Sequence, residues 1–437
     1  MADVLLVNAP AARVGSDAHA SLNPPLGLAY IGGILRENGF GVEAVDFNIS
    51  GLSEQRLQAT LSRVEPRIVG ISAHTETYPK ALEIASIVKR TVPEAVVVLG
   101  GAHPSVTYET TARESAVDYV VVGEGDRTML ELAERIASGT RPTDIKGVAF
   151  ETETGVKFTG RRPFIEDPNT LPPPARDLFP LHLYQSPGNL LFSRGGCPFN
   201  CHFCAVNSIW EEGGRRFHSP DRVIEEIREL VEGYGIDHVN FADDVFTLHR
   251  QKTEALLDRL ATVELAQPWS FTCATRVDLV DEELLRRLAE VGCTGIQFGV
   301  EAGSQEILET IGKGISTEEI RKTVQQAVDA GLDVLASFMF PHPADTESTI
   351  RSQIEFMNEL HELGADLSLA YTTPYPGTGY RKLVEKGVIE AEASGWGDYD
   401  AKHLMISTQT LSIDELEPLR DELLEETGLA RRKAMPQ

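Results

Sequence analysis

Three cysteines fall within eight positions, at Cys197, Cys201 and Cys204. Thiolates are soft ligands that favour iron–sulfur clusters and zinc. On one short loop, three of them can take three corners of a cubane cluster, which leaves the fourth iron without a protein ligand. An open metal position is what coordination of a substrate or cofactor requires. Structural zinc asks for four ligands, and His202 is the neighbour that could be the fourth. It lies between the cysteines, however, on a loop too short to wrap tetrahedrally with all three. A redox disulfide would use only two of them, and three buried, unligated thiols are the remaining reading. Cys273 and Cys293 stand singly in apolar surroundings, so the five cysteines make no disulfide framework.

Several other reactive side chains follow apolar runs. Asp243 and Asp244 follow Val239–Ala242, Arg276 follows Ser270–Ala274, and Glu301 and Ser304 follow Gly295–Val300. Adjacent carboxylates at a strand end point to opposite faces, so one of Asp243 and Asp244 faces a site and the other suits a helix cap. Arg276 can fork onto a carboxylate or make a surface salt bridge. His342, in Phe340–Thr346 after Val334–Met339, can reach a substrate or bond locally, and Tyr375 in Thr373–Thr378 can serve as wall or proton donor.

Two βα series would carry these residues. Residues 1–145 alternate the apolar runs Val4–Val7, Val42–Val45, Ile68–Ser72, Val96–Leu99 and Tyr119–Val122 with helical spacing at Leu26–Glu37 and Lys80–Lys89. This predicts an α/β, doubly wound, flavodoxin-like (Rossmann-like) domain with ligands at the carboxyl ends of its first and third strands. Prolines break residues 146–185 into an expected linker. A second series, 186–379, starts at Leu190–Ser193 and has helices at Pro220–Gly233, Lys252–Ala261, Asp281–Val291, Thr317–Ala330 and Glu347–Leu363. It predicts a partial, TIM-like βα barrel. Residues 380–437 read as a short charged helical region ending in Arg431-Arg432-Lys433.

The chain has 437 residues, 42% hydrophobic and 24% charged, which suits two or three globular domains. Its 66 acidic and 40 basic side chains give a net charge of −26, which disfavours nucleic acid and anionic membranes as partners. No apolar run reaches the roughly 18 residues of a membrane span, and Met1-Ala2-Asp3 lacks a basic leader, so a cytoplasmic location is expected.

Arg194–Cys204, with three and then two residues between its cysteines and Phe203 before the last, resembles the cluster loop of radical S-adenosylmethionine (SAM) enzymes. That resemblance implies a [4Fe-4S] cluster on Cys197, Cys201 and Cys204. It also implies that SAM, bound at the unique iron, is cleaved to a 5′-deoxyadenosyl radical. Phe203, Asp243, Asp244, Arg276, Glu301 and Ser304 would then border SAM, with Tyr375 and His342 as catalytic candidates. A low-potential donor of flavodoxin or ferredoxin type would supply the electron.

The first domain concentrates small residues at its strand ends, in Asn23–Tyr30, Gly70–Thr75, Gly100–Pro104 and Gly123–Asp126. Together with the cysteine loop these resemble the cobalamin-binding half of cobalamin-dependent radical SAM enzymes. The resemblance implies cobalamin contacts at Leu26, Gly27, Ser72, Thr75, Gly100, Gly101, His103, Gly123 and Glu124. Asn8–Gly15 lacks the Asp-x-His-x-x-Gly loop that gives other cobalamin proteins their cobalt ligand. The implied reaction is methyl transfer to an unactivated carbon of a small metabolite or natural-product precursor. The alternative is dehydration, epimerisation or rearrangement of a sugar-like or antibiotic precursor, with a vestigial cobalamin domain. A sensor without catalysis would leave an open-corner cluster beside SAM-suited side chains without a purpose.

Overall fold

A computed structural model of the chain describes residues 3–11, 23–210 and 214–429. Ala12–Gly15 of the first loop and the basic run Arg431–Lys433 lie outside the described residues. The chain divides into two compact units, Met1–Pro187 with Ser208–Gly213 and Ser394–Tyr399, and Gly188–Asn207 with Gly214–Ala393 and Asp400–Gln437.

The first unit is built on strands β1 (Val4–Asn8), β2 (Val42–Asp46), β3 (Ile68–Ser72), β4 (Val96–Gly100), β5 (Tyr119–Val121), β6 (Val148–Thr152) and β7 (Gly155–Phe158). Their order is β2-β1-β3-β4-β5-β6-β7. The first five are parallel, and β6 and β7 add an antiparallel hairpin at one edge. Valine and isoleucine fill both faces of the central strands, as a sheet covered on both sides demands. The order reverses between β1 and β3, the switch point where such sheets bind ligands.

Residues 146–185 do not form a free linker. They open with β6 and β7, then run as short 3-10 turns along the helix Leu26–Glu37, where the Ala175 amide donates to the Ala29 carbonyl at 2.8 Å. Gly32 and Gly33 make room for this strap. A methyl group on Gly33 would lie 2.3 Å from the Pro173 carbonyl oxygen. Gly33→Ala is therefore expected to destabilise the protein by about 1–3 kcal/mol. Gly27→Ala, where nothing lies within 4 Å, is the matched control with an unchanged melting temperature.

In the second unit, β8 (Asn189–Leu190), β11 (His238–Phe241), β12 (Ser270–Thr275), β13 (Cys293–Glu301), β14 (Asp333–Phe340) and β15 (Asp366–Tyr371) form a six-stranded parallel sheet in chain order. This is the open βα barrel expected, with one strand more than the apolar runs showed. β15 reads Asp-Leu-Ser-Leu-Ala-Tyr, and its polar alternate positions hide it from an apolar-run search. A short antiparallel ribbon, β9 (Ser193–Arg194) with β10 (Arg216–Phe217), brackets the cysteine loop. The helix expected over Pro220–Gly233 is α-helical to Arg228 and continues as a π turn over Glu229–Gly233. Beyond the barrel, helices cover Gly379–Glu385 and Ile413–Glu426, the second opened by a Ser412–Glu415 capping box.

Candidate functional site

The cysteine loop leaves β9 and is pinned by backbone and side-chain bonds around its thiols. The Asn207 amide accepts from the Cys197 amide at 3.2 Å and donates to the Phe199 carbonyl at 2.7 Å. His202 donates its backbone N–H to the Ile311 carbonyl at 3.0 Å and accepts from the Gly379 amide at 2.8 Å. All three thiols are free and partly exposed. Burial raises the thiols of Cys201 and Cys204, the latter to about 11. Lys313 and Arg276 pull the Cys201 thiol back toward thiolate. Among the described residues no three His, Cys, Asp or Glu side chains converge to hold a single metal ion. That spacing fits a cubane cluster, because each thiolate takes a separate iron corner, and three partly exposed soft donors are the ligand set it requires.

Asp243 and Asp244 separate as their alternation requires. The Asp243 carboxylate is fully buried and accepts from the amides of Phe192 at 2.8 Å and Ser193 at 2.7 Å, and from the Ser193 hydroxyl. Burial pushes its pKa up to about 6, against these donors and the nearby Arg215. Its oxygens are spent on the strand that leads into the cysteine loop, which corrects the expectation that Asp243 contacts SAM. Asp244 is the exposed member, paired with Arg215 at 3.0 Å. The buried Arg215 also donates to the Gly196 carbonyl at 3.0 Å and the Ser193 hydroxyl at 3.0 Å. One guanidinium thus ties both sides of the loop, and nothing in the Gly214-Arg215-Arg216 run signals it.

Arg276 is buried in a fork with Asp278 (2.9 Å), donates to the Lys313 carbonyl at 2.7 Å and lies 3.7 Å over the Phe199 ring. It braces the loop next to Cys201, with its fork already occupied by Asp278. Glu301 sits at a β-bulge with φ +70° and pairs with Lys313 at 2.8 Å. Lys313, between two glycines, is missed by sequence reasoning and is nonetheless buried beside Cys201 and Phe203. Lys313→Met removes a cation from the cluster's surroundings and is expected to lower its reduction potential by on the order of 50 mV. An EPR-monitored redox titration measures the shift, and Lys313→Arg should restore most of it.

His342, a catalytic candidate from the sequence, is completely buried. Its Nε2 lies 3.1 Å from the Glu301 carbonyl and its Nδ1 2.8 Å from the Tyr380 hydroxyl. A carbonyl can only accept, so Nε2 carries a proton and donates it to the Glu301 carbonyl. The histidine belongs to the wall and fixes the backbone of Glu301, which corrects its assignment as a substrate-facing group. Phe203 is half-buried near His342 and Tyr380. Ser304 precedes the short helix Gln305–Thr310 without a capping bond, and Tyr375 lies in the turn after β15.

In the first unit the expected cofactor residues gather at the carboxyl ends of β3, β4 and β5. Ser72 and Gly100 end their strands. Gly101 has φ +104°, and a Cβ there would lie 2.6 Å from the Ala73 carbonyl oxygen, so the loops after β3 and β4 touch only because it is glycine. The Gly123 amide (φ +82°) donates to Ser105 at 3.0 Å. Leu26 is buried and Gly27 open at the start of the first helix. Glu124 is buried and accepts from the Ile165 amide at 3.0 Å. His103 is buried too, with Nδ1 3.2 Å from the Thr75 hydroxyl and its ring 4.3 Å from Tyr78 and 4.9 Å from Trp396. Burial lowers its pKa to about 4, so it is neutral near pH 7. Glu124, Thr75 and His103 are thus buried and bonded within the unit, while Ser72, Gly100, Gly101 and Gly123 lie at or just past the strand ends.

The chain is similar to known proteins. Residues 193–357 match the Radical SAM superfamily, and residues 12–133 match the B12 binding domain. An uncharacterized methyltransferase of Pyrococcus horikoshii is 34% identical over 380 residues, covering 86% of this chain and 81% of the relative. The anaerobic magnesium-protoporphyrin IX monomethyl ester cyclase of Rubrivivax gelatinosus is 29% identical over 81% of this chain, and the chain spans 65% of its length. The radical SAM methyltransferase TsrM from Kitasatospora setae, solved with cobalamin and a [4Fe-4S] cluster, superposes with a TM-score of 0.78 at 18% identity. That match covers 98% of this chain and 89% of TsrM, which makes it a likeness of fold.

Proposed function

The chain belongs to the cobalamin-dependent radical SAM methyltransferase family, and from that premise we propose that its methyl acceptor is an unactivated carbon of a small metabolite or natural-product precursor. Its cofactors are a [4Fe-4S] cluster, SAM and cobalamin. When bound, they supply a carbon-centred radical and a transferable methyl group. The observation that carries the reading is the co-occurrence of two cofactor frames in one chain. One is the 2-1-3-4-5 sheet with glycine-lined strand ends, and the other is the braced three-cysteine loop at the mouth of a βα barrel. A net charge of −26 supports a small acceptor over a nucleic acid.

In this reading the three cysteines hold the cluster, and Arg215 and Asp243 keep their loop in place. Asp244 offers its exposed carboxylate to the SAM ammonium. The Glu301–Lys313 pair offers an acceptor and a donor beside Cys201 for SAM's polar groups. Tyr375 borders the acceptor, and a low-potential flavodoxin- or ferredoxin-type protein delivers the electron in the cytoplasm. The likeness to a cyclase, whose name is not that of a methyl transfer, supports a second reading, radical dehydration, epimerisation or rearrangement of a sugar-like or antibiotic precursor with a vestigial cobalamin domain.

The deciding experiment is anaerobic reconstitution with cobalamin, SAM and a low-potential reductant. The readouts are retained corrinoid after desalting, S-adenosylhomocysteine and 5′-deoxyadenosine. Retained corrinoid with both products is expected. Deoxyadenosine alone, with no corrinoid retained, would overturn methyl transfer in favour of the second reading.

A further inference from the structure

The barrel sheet has two unlike faces. One presents Phe271, Ile296, Phe298, Val334 and Phe338, all buried. The alternate positions form the inner face, where the side chains are mostly small or polar, with Leu335 and Met339 as its apolar members. Asn240, Thr272, Ser337 and Ser368 are half-buried, and Gln297 is exposed although β13 is a central strand. Closed eight-stranded βα barrels fill that space with branched apolar side chains. Here the chain leaves it accessible.

These groups bond to one another along the sheet. Thr272 donates to the Asn240 Oδ1 at 3.2 Å. The Gln297 Nε2 donates to the Ser337 hydroxyl at 2.8 Å, and Ser368 donates to the same hydroxyl at 2.9 Å. This fixes the amides by their inner bonds and leaves a donor, Asn240 Nδ2, and an acceptor, Gln297 Oε1, without a protein hydrogen-bond partner among the described residues. Charge is confined to the two ends of the face. Glu301 at the carboxyl end is already paired with Lys313, and Asp333 and Asp366 are exposed at the other end. His238, also at that other end, has both ring nitrogens on Ser270 and Thr272. An ion brought onto the middle of the face would lose hydration without meeting a counter-charge. Neutral groups that donate to one and accept from the other would satisfy the two free amide atoms.

Building on the methyltransferase reading, we propose that the inner face around Asn240, Gln297 and Ser337 binds the acceptor through an uncharged hydroxyl- or amide-bearing part of it. The acceptor class is thus a neutral, oxygen-rich molecule, with any ionised group held outside this face.

Saturation-transfer NMR on the cofactor-loaded full chain tests this with three matched probes, neutral lactamide, anionic lactate and cationic 1-amino-2-propanol. Lactamide is expected to bind, and Gln297→Leu to weaken it by about three- to tenfold, the worth of one hydrogen bond. Ser337→Ala serves as the second variant, and iron and corrinoid content report that both variants are folded. Three results would each overturn the proposal: no lactamide signal, a lactamide signal indifferent to both substitutions, or lactate or aminopropanol binding with the same dependence on Gln297. No turnover is needed, so a missing S-adenosylhomocysteine product would sink the methyltransferase reading and leave this result standing.

Discussion

Cys201→Ala is expected to abolish the iron–sulfur absorbance and SAM cleavage together while cobalamin stays bound. The thiol is one of three corner ligands, and two thiolates on a loop this short cannot hold a cubane cluster. Its backbone does separate work, since the Cys201 carbonyl accepts from the Cys204 amide at 3.1 Å, and alanine keeps that turn. The loss should therefore be chemical, not a collapse of the loop. All the residues expected to line the cobalamin pocket belong to the other compact unit, so the corrinoid spectrum after desalting should match the wild type. Iron content, the visible iron–sulfur absorbance and deoxyadenosine yield check the first half. SAM cleavage that survives in this variant would remove the cluster assignment and the radical chemistry built on it.

The cysteine loop was legible because its signal is local, with soft ligands at fixed spacing after one apolar run. The parallel strands of both units were legible for a related reason. Val4–Val7 must be apolar on both faces, whatever the function, because a sheet covered by helices on both sides buries both, whereas Gly295–Val300 shows through its one buried face, Ile296, Phe298 and Val300. β15 escaped notice because its inner-facing positions are Asp366, Ser368 and Ala370, which belong to an accessible face. Residues 146–185 read as a linker since prolines forbid regular elements, but prolines do not forbid packing, and Gly32 and Gly33 accept the strap.

The side chains around the cluster were less legible, because their roles depend on partners distant in sequence. Nothing near Asp243 announces that its carboxylate will meet the amides of residues 192 and 193, and nothing near Lys313 announces Glu301. His342 drew attention as a histidine in a loop, and the fold spends both of its nitrogens on the wall. Sequence type identified the chemistry available at the strand ends. Only the pairing of strands decided which carboxylate braces the loop and which stays exposed.

That division makes Asp243→Asn the most informative substitution in the wall. Asparagine keeps one acceptor oxygen and turns an N–H₂ toward an amide that also donates, so at least one backbone N–H of Phe192 or Ser193 is left buried and unsatisfied. Such a group costs about 1–3 kcal/mol, and the displaced Arg215 contacts add to it. The melting temperature is expected to fall, with iron retention falling in parallel as the Gly196 end of the loop loosens. A contact between Asp243 and SAM would instead leave stability and iron intact and raise only the SAM dissociation constant. The pH dependence gives an independent check. Burial raises the native carboxyl from 3.8 to about 6, so between those values the folded chain binds the proton more tightly than the unfolded one. Asp243 therefore adds stability below pH 4, and that contribution is lost as the pH climbs to about 6, after which it is flat. Urea unfolding of the wild type should show this decline on top of the other groups, Asp243→Asn should lack it, and the wild-type-minus-variant difference should therefore fall between pH 4 and 6. A difference curve that is flat from pH 4 to 6 would mean that the carboxylate is solvated, and the account of the loop's anchor would fail with it.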